Sequence, residues 1–89
     1  MNYYVKKPIP IEAVKVEKEN HDEIIALLRS GVTDWEETQD GFIVHSWEGA
    51  ETINYGSDYW IIKGIMGECY PCKGEVFERS YEPYEQKTG

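Results

Sequence analysis

Between Arg29 and Lys63 the chain has no lysine and no arginine. Across the whole sequence 9 basic residues face 17 acidic ones, a net charge of −8. Phosphates and anionic lipid headgroups are held by clustered Lys and Arg, so this balance argues against direct binding to nucleic acid or to a membrane surface. No apolar run approaches a membrane span, and the amino terminus shows no signal-peptide pattern, so the expected location is cytoplasmic. Cysteine is scarce too, with only Cys69 and Cys72, and in a cytoplasm both stay reduced. There is no Ser-His-Asp arrangement, no phosphate-cradling glycine loop and no dense carboxylate-histidine cluster. These absences predict neither an enzyme nor a metal or cofactor site. Of nucleophile-and-base pairs, only His45 with Cys69 asks to be examined.

The spacing of Cys69-Tyr70-Pro71-Cys72 is that of a redox pair. The thiolate mechanism, however, needs the first sulfur at a helix N-terminus, early in a βαβ pattern. Here the motif follows a strand late in the chain, with 17 residues left, 89 less 72. Neither His21 nor His45 stands at finger-like spacing from it. Two partly buried structural thiols are expected.

What the chain does have is one strongly patterned stretch, Gly56 to Cys72. Gly56-Ser57-Asp58 is a turn signal. Trp60, Ile61 and Ile62 follow without a polar interruption, as in a strand covered on both faces or central in a small sheet. Gly64 and Gly67 predict a kink or short hairpin before Glu68. Pro71 cannot donate to a ladder, so the strand should end there or lie at an edge.

Gly56, Asp58-Tyr59-Trp60, Ile61-Ile62, Gly64, Gly67-Glu68, Tyr70-Pro71 and Phe77-Glu78 through Tyr81-Glu82 together resemble a family of small proteins common in bacteriophage and prophage genomes. The opening, Lys6-Lys7-Pro8 and then Ile11-Glu12-Ala13-Val14, is similar to that family's as well. The chain departs from the pattern at Tyr55, where the family usually has proline, and at Cys69, where it usually has an aromatic residue. The family carries no agreed activity. The resemblance therefore implies a phage setting, in the cytoplasm of a bacterial host, and no mechanism.

At 89 residues a single domain is expected, with an ordered core over 3–82 and a loose polar tail over 83–89. A strand is predicted over Ile9 to Val16, with Pro8 and Pro10 making its start irregular. Asn20 reads as a helix N-cap with Glu23 completing a capping box, and Gly31 as the C-cap. Ile24, Ile25, Leu27 and Leu28 share one helical face. Asp40-Gly41 predicts a hairpin between Trp35 to Gln39 and Phe42 to Trp47, and Glu48-Gly49 a second turn. Lys73 to Tyr81 reads as a short helical turn with Val76, Phe77 and Tyr81 inward. Trp60 and Phe77 read as core; the sequence does not assign Trp35, Trp47 or Tyr84. The fold class is α+β: one amphipathic helix packed on a small antiparallel sheet of four or five strands.

Seven carboxylates, Asp34, Glu36, Glu37, Asp40, Glu48, Glu51 and Asp58, fall in the segment without Lys or Arg. On adjoining hairpins they would present an extended negative face resembling a phosphate backbone. The bland alternative is a solvated face that keeps a small protein soluble. With the phage setting, the leading expectation is a binding protein that inhibits a host nucleic-acid-targeting defence protein, of the anti-CRISPR or anti-restriction type. Its partner would be a basic protein surface such as a CRISPR or restriction effector. Two other classes stay open: a small-ligand binder with its pocket at Gly64 and Gly67, and an oligomeric or virion-associated part, with monomer and homodimer both compatible with the sequence.

Overall fold

The computed structural model describes residues 2–4 and 9–84. Lys6, Lys7 and Pro8 of the family-like opening, and tail residues 85–89, lie outside that range. Pro10 offers no N–H to a ladder, and the first strand, β1 (Glu12–Lys15), begins after it. A 3-10 turn at Lys18–Asn20 leads into α1 (His21–Ser30), which buries Ile24, Leu27 and Leu28 and packs Ile25 beside them. The capping box does not form. The preceding turn holds Asn20 at φ −98° and ψ 11°, away from the extended backbone an N-cap needs. Its side-chain amide instead donates to the Lys15 carbonyl at 3.1 Å, tying the helix start to β1.

Gly31 does end the helix, but at φ −93°, outside the left-handed region. Space is what requires glycine there: a Cβ would lie 2.5 Å from the Gly67 carbonyl oxygen and 2.8 Å from Cys69 Sγ.

Three strands then form a meander, β2 (Asp34–Glu37), β3 (Gly41–Ser46) and β4 (Gly49–Asn54). The first hairpin turns one residue earlier than the sequence predicts, at Gln39-Asp40, with the Thr38 N–H donating to the Gly41 carbonyl at 2.9 Å. Gly41 is already in the strand, and a Cβ on it would overlap the Ile53 carbonyl oxygen. The second turn, Trp47-Glu48, closes on Gly49 at φ +128°.

The Gly56-Ser57-Asp58 turn then carries the chain out of this sheet. Gly56 and Asp58 have φ of +75° and +60°. The Gly56 N–H donates to the Val16 carbonyl at 3.1 Å, and the Val16 N–H to that of Tyr59 at 2.8 Å. The next strand, β5 (Tyr59–Lys63), is thereby delivered to β1 and not to β4. β6 (Cys69–Lys73) pairs on the other side of β5, and α2 (Gly74–Ser80) follows. Among the described residues, the single sheet of four or five strands is therefore corrected to six strands in two antiparallel sheets, β1-β5-β6 and β2-β3-β4. Both are three-stranded, and a short second helix joins the amphipathic one.

The central strand, the Gly64–Gly67 hairpin and the edge position of Pro71 agree with the pattern of the Gly56 to Cys72 stretch.

The main core lies between α1 and the inner faces of both sheets, where Val16, Ile61 and Cys69 meet Phe42, Val44 and Ile53. Neighbouring residues on β5 point to opposite faces. Ile62, 0% exposed, is buried on the far side from Ile61 and outside that cluster. There Trp60 stacks on Phe77 of α2, ring centroids 4.1 Å apart and 12° from parallel, and Phe77 stacks on Tyr81 at 5.1 Å. Trp60 and Phe77 are thus half-buried members of a second layer, not of the main core. Phe77 faces inward from α2, and Tyr81, the extended residue that ends the helix, meets it there; Val76 falls off that face and is 47% exposed, against expectation.

Candidate functional site

The alternation of strand residues distributes the seven acidic candidates. In register, Asp34 and Glu36 share a face with His45 and Ile43, while Glu37 and Glu51 share the opposite face with Phe42 and Val44. Glu36 is bonded to His45 Nε2 at 2.7 Å. Glu37 is bonded to His21 Nε2 at 2.5 Å, and the same imidazole reaches Asp22 at 3.0 Å while lying against the Phe42 ring. The bond to Glu37, then the one to Asp22, raises the His21 pKa above its ordinary value. Asp40 stands in the β2–β3 turn. Asp58 belongs to the other sheet: its carboxylate packs where a Cβ on Gly74 would sit, and its carbonyl accepts from the Gly74 N–H at 2.7 Å. No single face collects all seven.

Three of them, Asp34, Glu48 and Glu51, contribute to the lining of a groove of about 530 Å³ between β6 and the β2-β3-β4 sheet, with Asp34 on the opposite face of the sheet from Glu51. Two long-range bonds build it. The Val32 N–H donates to the Gly67 carbonyl at 2.9 Å, and the Cys69 N–H to Thr33 Oγ1 at 2.7 Å. They fasten the lead-in to β2 against the β5–β6 hairpin and bring a fourth acidic residue, Glu68, to the lining, its carboxylate lying against Gly64. Trp47, in the β3–β4 turn, lines the groove and is 93% exposed; Val32 is 76% exposed. Tyr70 and Pro71 of β6 line it as well. No lysine or arginine among the described residues does.

Cys69 and His45 both border this groove without forming a reactive pair. The Cys69 thiol is buried and directed at the Leu27 carbonyl, 3.9 Å away, and burial pushes its pKa up. His45 is turned to Glu36. Cys72 is three residues from Cys69 on one strand, so the two sulfurs leave β6 on opposite faces. That placement rules out a shared disulfide or a two-sulfur metal site. Burial raises the Cys72 thiol too, so neither sulfur is primed as a thiolate. The described residues hold no cluster of three or more His, Cys, Asp or Glu fit for a metal.

A second, apolar cavity of about 470 Å³ lies by the outer layer, lined among others by Ile11, Trp60, Phe77, Tyr81 and Tyr84. The indole N–H of Trp60 is buried with no acceptor. Nearby, Tyr70 has its pKa pushed up to about 12, by burial first and then by its hydrogen bond with Tyr81. The cavity does not involve Gly64 or Gly67. Those glycines admit the chain's own groups: the Glu68 carboxylate lies against Gly64, and Val32 Cγ1 would be 3.5 Å from a Cβ on Gly67.

Comparison with protein-family models, with characterised proteins and with solved structures finds no match to this chain.

Proposed function

We propose that the chain works by binding, presenting the carboxylates of its β2-β3-β4 sheet and the adjoining groove to a basic protein surface. In the phage setting that the sequence resemblance implies, that surface belongs to a nucleic-acid-targeting defence protein of the host, which the chain inhibits by occupying the place of nucleic acid. The observation that carries this reading is the groove, lined by Asp34, Glu48 and Glu51 beside the exposed Trp47, with no lysine or arginine of the described residues in the lining. Desolvated aromatics beside charge are the usual anchors of protein interfaces, and opposite charge speeds and steers encounter. Reversing Asp34, Glu48 and Glu51 to lysine leaves buried positions untouched, so the fold should persist while inhibition is lost. Undiminished inhibition by a folded triple variant overturns the reading.

A second reading has its own observation. The apolar cavity and the unpartnered Trp60 N–H suit a small flat ligand carrying an acceptor. Native mass spectrometry of the freshly purified protein tests it: a retained small molecule supports it, and the bare mass alone counts against it.

A further inference from the structure

Resting on the reading of the chain as a binder of a basic protein, we propose that the groove between β6 and the β2-β3-β4 sheet docks an arginine-bearing extended segment of that protein. Charge complementarity selects the occupant. None of Asp34, Glu48 or Glu51 has an ion-pair partner among the described residues, whereas Glu36 and Glu37 are engaged by His45 and His21. The groove thus offers its charge outward at a point where the rest of the sheet has partly spent it. An anionic segment is repelled there.

The apolar part of the lining selects arginine among cations. Trp47 offers nearly its whole surface at the lip. A guanidinium stacks on an aromatic face while its edge forks to a carboxylate. An ammonium acts as a hydrated point charge and does only part of this. Pro71 gives β6, an edge strand, one fewer N–H for strand addition, so recognition falls on side chains more than on a backbone ladder. Val32, exposed beside the carboxylates, provides apolar contact for the residue flanking the arginine.

The test titrates the full-length, nitrogen-labelled protein with a capped peptide of alternating arginine and serine. The reporter is the Trp47 indole N–H, identified by Trp47→Phe. The indole resonance should move on binding, and a peptide with lysine in place of arginine should bind at least about threefold more weakly. Glu48→Gln with Glu51→Gln should weaken the arginine peptide about tenfold, two exposed pairs' worth. Glu75→Gln with Glu78→Gln, both exposed on α2, removes the same charge outside the groove and should change affinity by less than about twofold. An unmoved Trp47 indole, or equal weakening by both double variants, overturns the proposal. The functional reading fails separately: a peptide seated in the groove with no host protein captured sinks that reading alone. A captured host protein indifferent to Glu48→Gln with Glu51→Gln sinks the groove alone.

Discussion

Gly41 lies in β3 with the Ile53 carbonyl oxygen and the Asn54 α-carbon where a side chain would begin, the latter 2.8 Å from a Cβ position. Alanine there must push β4 away, so Gly41→Ala is expected to cost about 2 kcal/mol or more, read as a lower urea midpoint. An unchanged midpoint would mean that β3 and β4 part at that point without cost. The two cysteines differ just as sharply. Cys69 is in the core and Cys72 on the other face, half-buried. A thiol reagent should label Cys72 in the native protein and Cys69 only on unfolding. Cys69→Ser should cost about 1–3 kcal/mol, for a hydroxyl in an apolar core. Equal labelling of both would contradict their placement on opposite faces.

His21 carries the pH dependence that can be argued from geometry. Glu37 and then Asp22 favour its charged form, so its folded pKa lies above the ordinary 6.5. The stability this adds is fully present below about pH 6.5 and is lost as pH rises through the folded value. The Tm should therefore fall between about pH 6 and about pH 8, and His21→Gln should flatten that part of the curve. Parallel curves for the two proteins would show that the bridge from α1 to β2 does not couple to folding.

Among the elements, α2 is held at its start by the Gly74 N–H to the Asp58 carbonyl and along its length by the face of Phe77 on Trp60. Both rings are half-buried, so Phe77→Ala should cost about 2 kcal/mol, less than a full core deletion, and erase the near-ultraviolet signal of the stacked pair. Val76→Ala, on the exposed side, should stay within about 0.5 kcal/mol. Much at this scale could be read locally. The apolar face of α1, the run Trp60-Ile61-Ile62 and the breaks at Gly64 and Gly67 each depend on neighbours in sequence, and each appears as expected.

The division into two sheets could not be read that way. It follows from two hydrogen bonds between Val16 and the loop forty residues later, Gly56 to Tyr59, which no local pattern reports. Asn20, Gly31 and Gly41 show the same limit in miniature: each stands at the boundary its type suggests, but tertiary contacts give it another task. The site divides likewise. The acidic residues are plain in the sequence, but strand alternation and the His21 and His45 bonds decide which stay available. Val32, Thr33 and Glu68 join the groove through contacts with Gly67 and Cys69 that only the fold brings together.

At the scale of the whole molecule, the net charge of −8 and its concentration on one sheet make salt the natural lever. An association steered by such a field weakens as ionic strength rises, because surface charges are screened beyond about 10 Å at 0.1 M salt. A partner that normally grips nucleic acid would, in addition, be released by free DNA. The most direct measurement is affinity capture with the tagged protein from host lysate expressing its defence systems, washed in rising salt and then challenged with DNA. The same capture is run with Asp34, Glu48 and Glu51 reversed to lysine. Binding by the acidic groove requires that a nucleic-acid-binding protein be retained by the native chain, be released by salt or DNA, and be missed by the variant. Retention of the same protein by both chains, or clean captures that retain nothing, would contradict it.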